Sequence, residues 1–409
     1  MDSRELKVVI LVLGAYLIFF YGGLALRFGL FPYELIGPPV KAVGFVKRAV
    51  FSEDGNNRIR WPEPVPAAGT GITKRRADRQ HHGYTLLTST QDLGVRLRNQ
   101  QGDLIHSWQV PVHKAWPDQA HINALFPLKR KYFYARDAHV FADGSVLVLI
   151  HAYGVTPWGI GIVKLDAQSN LQWVHTGYVN NDFELGPDGS IYMIEHERSD
   201  DRPGGVDDLS LPYLEDHIVK LSADGVVRKR ISIIKALEDS AYAAVLRRID
   251  PDKANDAGDP THSNSIDFIK RDHPRIPWLE QGNLLISMRD INVLAVLDPG
   301  TGDIVHAIGL PTRMQHDINL LPNNNLLMFD NRGDIKGAYH TRVIEIDPET
   351  GGIVWEYSAA PGGAELYSRF WGEAERYPGG HTMIVNARQG QILEVDRQGR
   401  THWTFTTPL

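Results

Sequence analysis

Residues 315–331 read QHDINLLPNNNLLMFDN, and this stretch decides the fold. A polar triplet, Gln315-His316-Asp317, leads through an asparagine-rich turn into an apolar strand. The same half-motif recurs as DAHVFADGSVLVLI at 137–150 and as NNDFELGPDGSIYMI at 180–194. It returns as THSN at 261–264 ahead of EQGNLLIS at 280–287, and around Ala374 and Arg376 ahead of YPGGHTMIVN at 377–386. Intervals of about 40 to 60 residues, stretched where insertions fall, with an Asp-Gly or Asn-rich hairpin in each copy, are the mark of a β-propeller. Histidines held at equivalent places in successive blades converge on the central axis, so the repeat points to a site as well as a fold.

A second phrase sets the blade number. It runs VRLRNQQGDLIHSW (95–108), IVKLDAQSNLQWVH (162–175), IVKLSADGVVRKRI (218–231), AVLDPGTGDIVHAI (295–308), VIEIDPETGGIVWEY (343–357) and ILEVDRQGRTHWTF (392–405). Each is an alternating strand, a tight turn and a second strand often carrying tryptophan. Six phrases predict an all-β, six-bladed propeller over residues 83–409, with the tryptophans packed between blades. Two insertions interrupt it. Residues 195–216 are acidic and rich in Gly and Pro, and read as a solvated loop; Asp200, Asp201, Asp207 and Asp208 lack the spacing of a calcium loop. Residues 233–252 carry apolar residues at helical spacing and read as a short helix, a candidate lid over one face.

The composition is that of a folded globular protein, 43% hydrophobic and 22% charged. A net charge of −6 argues against a nucleic-acid binder. No cysteine is present, which excludes disulfides, Cys-ligated zinc and a thiol nucleophile. Near the N-terminus, Val8 to Leu26 is a run of 19 uncharged residues. At about 1.5 Å per residue it nearly spans a hydrocarbon core of about 30 Å. With no small-x-small cleavage site before Arg27, it reads as a single-pass anchor within residues 1–30 rather than a cleaved signal peptide. Residues 31–82, basic and rich in Pro and Gly, read as a juxtamembrane connector.

The candidate chemistry gathers in the second half of the chain. His262 and Asn264 precede a strand. Arg289 ends the strand in LLISMRD, His316 precedes another, Asp330 and Asn331 close it, and Arg376 and Arg388 lie in the last repeat. These residues resemble the arylsulfotransferase family, six-bladed propeller enzymes that move a sulfuryl group between phenols. The likeness covers about 83–409 and rests on His262-x-Asn264, the arginine of SMRD, the QHD…LPNNNLLMFDN block and AERYPGGHTMIV. The resemblance implies that His316 is the nucleophile, forming a sulfohistidine without metal or cofactor. It implies that Arg289, His262 and Asn264 hold the sulfuryl oxygens and that His262 moves the proton. Asn181, Asp330, Asn331 and Arg376 complete the expected substrate contacts, with Asp317 or Asp330 a candidate to orient His316. The partners implied are a phenolic sulfate donor and a hydroxyl acceptor, including an envelope glycan, and the membrane through residues 8–26. The propeller would then face the periplasm or exterior from the inner membrane. No phosphate-cradling Gly-rich loop suits a nucleotide sulfate donor.

One departure matters. Where the family commonly shows His-His-Asp in an early blade, this chain has Asn180-Asn181-Asp182. Asn181 can hydrogen-bond an oxyanion but cannot carry a proton near neutral pH. That departure keeps open a non-catalytic, membrane-anchored binding or scaffold propeller. A quinoprotein dehydrogenase is a further alternative, echoed by the tryptophan phrases. His139 sits at an analogous blade position, with a channel role the weaker alternative; His151, His196, His340 and His381 read as surface or packing residues, and His121-Ile122-Asn123 as a chance His-x-Asn.

Overall fold

The computed structural model describes residues 70–76, 83–124, 127–251, 258–331, 341–358, 366–368 and 370–407, together with Tyr21. Six antiparallel sheets follow one another along the chain, so the propeller has six blades. Blade 1 has three strands within 85–109, and blades 2 to 5 have four each, within 133–176, 178–232, 263–309 and 316–358. Blade 6, within 373–406, has four strands plus a fifth, Gly71–Arg75, which pairs with Thr401–Thr406. That added strand comes from the stretch expected to be connector. The apolar run at 8–26 lies outside the described residues apart from Tyr21, as do most of 31–82 and His340. Among the described residues no helix is long and apolar enough to cross a membrane.

The turn chemistry explains the repeat. In 141–145, Phe141 and Ser145 pair their backbones at 2.8 Å, Asp143 accepts from the Ser145 amide at 2.9 Å, and Gly144 takes φ +81°. The asparagine-rich copy does the same: Leu321 donates to the Asn325 carbonyl at 2.8 Å, and Asn324 takes the left-handed position at φ +68°. Asparagine tolerates that conformation, so PNNN substitutes for PDGS. Alternation then buries one strand face against each neighbouring blade. Leu147, Leu149 and Ile162 of blade 2 meet Val179, Phe183, Met193 and Val219 of blade 3. The tryptophans join blades as expected: Trp108 donates to Gly144 O at 3.1 Å, and Trp355 donates to Arg397 O at 2.9 Å. Arg98 of blade 1 lies over the Phe405 ring of blade 6 at 5.5 Å, so the first and last blades touch.

Both insertions differ from expectation. Residues 195–199 and 213–216 are not loop; they extend the hairpin strands Ile191–Ser199 and Tyr213–Leu221, with Glu195 opposite His217. The 233–252 segment is two short pieces, an α-helix Ile233–Glu238 and a 3-10 turn Ala243–Arg248. Ser240 divides them, because its hydroxyl donates to Leu237 O at 2.8 Å and accepts from Tyr242 N at 3.0 Å. Ile233, Ile234, Leu237 and Leu246 join the core between blades 3 and 4, so the segment packs as structure and is not a free lid.

Candidate active site

The first strand of each of blades 2 to 6 touches that of the next, so these strands line the axis. Several are broken at the same place. Register shifts fall at Arg136 in Phe133–Val140, at Asn181–Asp182 in Tyr178–Leu185, at Asn264 in Ser263–Phe268 and after His316 in His316–Leu320. A bulge turns a side chain out of the sheet alternation, here toward the axis. Positive φ at Asn181 (57°), His262 (48°) and Asp317 (51°) marks the same zone. Backbone strain in non-glycine residues concentrates at functional sites.

His316 is buried, and its Nδ1 faces two acceptors, Asn331 Oδ1 at 2.7 Å and Met314 O at 3.0 Å. Asn331 cannot be flipped, since its amide donates to Ser368 O and Trp371 O, both at 2.8 Å. The proton therefore sits on Nδ1 and the lone pair on Nε2, which among the described residues meets only the Trp371 amide, at a loose 3.4 Å. Burial, then the charge of Arg289, holds the His316 pKa well below its usual value, against the pull of Asn331. A neutral imidazole with an open Nε2 is the form a nucleophile needs.

His262 is held by Asp259, three residues earlier. One carboxylate oxygen accepts the His262 amide at 2.9 Å, and the other accepts Nδ1–H at 2.6 Å. The lone pair on His262 Nε2 faces the Asn181 amide nitrogen at 3.4 Å. Behind Asp259 lies His196, fully buried, with Nε2 3.0 Å from Asp216 Oδ1 and 3.4 Å from Asp259 Oδ2. Burial alone would lower the His196 pKa; the Asp259 and Asp216 carboxylates outweigh it and push it up to about 10. For Asp259, burial raises the carboxyl pKa, but its two histidine neighbours, His262 and His196, hold it well below the usual range. Trp158 packs against both rings, at 5.4 Å from His262 and 5.5 Å from His196, and donates to Asn180 Oδ1 at 2.7 Å. Among the described residues, His196, Asp216 and Asp259 form a group with metal-ligand spacing, their ligand atoms within 4.8 Å of one another. The Asn180 amide nitrogen, oriented by the Trp158 bond to its oxygen, stands 3.1 Å from the same His196 Nε2.

Arg289 donates its Nε to Asp290 at 2.7 Å and lies 6.0 Å from the Phe370 ring, beside the Trp371 amide that meets His316. The other expected contacts fall elsewhere. Asn264 is buried, with its amide on Gln315 O at 2.8 Å, so it ties blade 4 to the residue before His316. Asp330 accepts from Arg313 N at 2.9 Å and from Arg342 Nε at 2.8 Å; Asn331, not Asp330 or Asp317, orients His316. Arg376 reaches into blade 5, bonding Glu345 at 3.0 Å and Thr382 at 2.7 Å over the Trp355 ring. Arg388 lies over Tyr367 at 5.1 Å. His151, His196 and His381 are buried rather than superficial, His381 on Glu394 at 2.8 Å, while His139 is exposed. His121 binds Ile160 O at 3.0 Å. Residues 137–407 match the family model described as arylsulfotransferase (ASST). The chain belongs to the arylsulfotransferase family.

Membership implies sulfuryl transfer from an aryl sulfate donor to an acceptor. No curated protein matches the chain. Among solved structures, a protein of unknown function from Bacteroides caccae is 13% identical, at TM-score 0.49 over 80% of this chain and 94% of that one. A streptogramin B lyase is 14% identical at TM-score 0.44, covering 84% of both chains. Virginiamycin B lyase from Staphylococcus aureus is 13% identical at TM-score 0.44, over 82% of this arylsulfotransferase-family chain and 83% of its own. Likenesses this distant carry nothing about chemistry.

Sequence reading missed Asp259, His196, Asp216, Trp158 and Arg136. Two of these had a signal: Asp259 stands three residues before His262, and Arg136 precedes Asp137 as Asn181 precedes Asp182. His196 and Asp216 had none, since only strand pairing across a long hairpin brings them together.

The same inner strands carry a cluster of largely buried carboxyls. Burial first, then Glu373, pushes both Asp137 and Asp317 up to about 7, while burial and the charge of Asp137 hold Asp182 well above its usual value. These groups also bind successive blades: Asp182 accepts from Ile266 N at 2.8 Å, and Asp317 accepts from Ala374 N. A carboxyl whose folded pKa exceeds its unfolded one favours the fold at low pH, and that contribution is lost as pH rises through about 7. Asp317→Asn keeps an oxygen for Ala374 and cannot ionise. Its melting temperature is expected to exceed the parent's by roughly 1–3 °C at pH 8.5 and by clearly less at pH 5, where the unfolded carboxyl is already ionised but the folded one is not; equal differences at both pH values would contradict this.

Proposed function

We propose that this protein is a membrane-tethered aryl-sulfate sulfotransferase working by a two-step route through His316. The fixed tautomer of His316 carries the reading: Nε2 is unprotonated and, among the described residues, faces only a displaceable amide. In the first step Nε2 attacks sulfur, the N–S bond forms and the S–O bond breaks, and a phenolate leaves. In the second, the acceptor hydroxyl loses its proton to His262 Nε2, attacks sulfur and frees His316. Arg289 and the Asn181 amide supply donors to the sulfuryl oxygens, whose charge changes most in the transition state. Asn331 and Asp259 fix the two tautomers. The Val8–Leu26 run would place the propeller on the outer face of the inner membrane, which fractionation of the full chain checks.

The acid test is intact-mass spectrometry after mixing with 4-nitrophenyl sulfate, alongside nitrophenol release with a phenolic acceptor. One covalent sulfuryl group per chain and parallel-line kinetics support the reading. Neither adduct nor release would leave the binding propeller favoured by the Asn181 departure.

A further inference from the structure

Three hydrogen bonds between blades show which inner-strand positions correspond. Ile266 N donates to Asp182, Ile318 N to Ser265 Oγ, and Ala374 N to Asp317. Asp182, Ser265 and Asp317 thus share one position, and Asn181, Asn264 and His316 share the one before it. Asp137 stands six residues ahead of the turn aspartate Asp143, as Asp182 does ahead of Asp188. The blade 2 member of the His316 position is therefore Arg136, and the register shift there falls on that residue.

Arg136 is poorly satisfied for a guanidinium only 12% exposed. Its Nε is buried with no hydrogen-bond partner among the described residues. Among the described residues its sole ion-pair contact is Glu373 at 3.6 Å, too long for a hydrogen bond and to a carboxylate that is 55% exposed. A largely buried cation with an orphaned donor is costly unless something else meets it. Its charge also acts on His316 alongside that of Arg289.

We propose that Arg136 is a substrate-binding residue that takes the sulfate group of the ester at the axis, opposite Arg289, with Glu373 as the weak internal anion the substrate displaces. This rests on the sulfotransferase reading for the identity of the anion. Two guanidiniums from blades 2 and 4 then hold the group that His316 attacks, and a fixed charge stands beside the neutral Asn181.

The test measures binding of inorganic sulfate and of 4-nitrophenyl sulfate by calorimetry in a His316→Ala background, where no transfer follows. Arg136→Gln is expected to weaken both anions by about tenfold or more with an unchanged melting temperature, and Arg136→Lys to restore part of the loss. Glu373→Gln, which removes the competing anion, is expected to tighten both by about two- to threefold. Parent-like binding by Arg136→Gln overturns the proposal, as does failure of the parent to bind either anion. If Arg136→Gln does not fold, Glu373→Gln decides: tighter binding supports the role, and unchanged or weaker binding overturns it. Arg136-dependent binding without sulfuryl transfer by the wild type would sink the sulfotransferase reading alone.

Discussion

His316→Ala is expected to lower aryl-sulfate turnover by about 10⁴-fold or more and to abolish the sulfuryl adduct. The size follows from what the side chain alone supplies. In the proposed route Nε2 is the reacting atom, and the neighbouring groups that fix its proton act only through it. The fold should not suffer: the His316 ring bonds Asn331 and Met314 O through Nδ1 and meets the Trp371 amide only loosely, and Asn331 keeps Ser368 and Trp371. A melting temperature near the parent's, with no adduct and no turnover, is the expected pair of results. An adduct that persists on the variant would place the nucleophile elsewhere.

Asp259→Asn is expected to separate the two half-reactions. Asp259 uses one oxygen for the His262 amide and the other for Nδ1–H. In the variant the backbone N–H still requires an oxygen, so the amide nitrogen falls opposite Nδ1. Two donors cannot face each other, and the His262 proton moves to Nε2. The base for the acceptor hydroxyl is then lost. Imposing the wrong tautomer on a catalytic histidine costs about 10⁴-fold in a Ser-His-Asp enzyme, and a loss of about 10²- to 10⁴-fold is expected here for transfer to acceptor. Nitrophenolate needs no proton to leave, so the first burst of nitrophenol should survive and the adduct should accumulate. Rapid-mixing absorbance with mass spectrometry checks both. Loss of the burst as well would give His262 or Asp259 a role in the first step.

The reach of the sequence differs between these residues. His316, His262 and Arg289 were legible because each sits in a short local motif beside a strand. The Asn331 role was half legible, since the residue stood out but its partner did not. Asp330 and Arg376 drew attention by position in those motifs, yet buried carboxylates and guanidiniums first satisfy each other, and they do so with Arg342 and Glu345. The 195–216 segment misled because polar composition reads as solvated loop, whereas a long hairpin carries His196 and Asp216 to the interior.

By itself the sequence determined the repeat, the six blades and the propeller class, and it marked His316 as the candidate nucleophile. All of these rest on interactions within about twenty residues: alternation, tight-turn chemistry and short motifs. Only the tertiary structure decided which nitrogen of each histidine carries the proton, which charges pair off as structure, and that Arg136 shares the axis with His316. Those outcomes depend on Asp259, Asn331, Glu345 and the bulges of separate blades. Burial in a low-dielectric interior fixes them by forcing each polar group to find a partner that the chain order does not name.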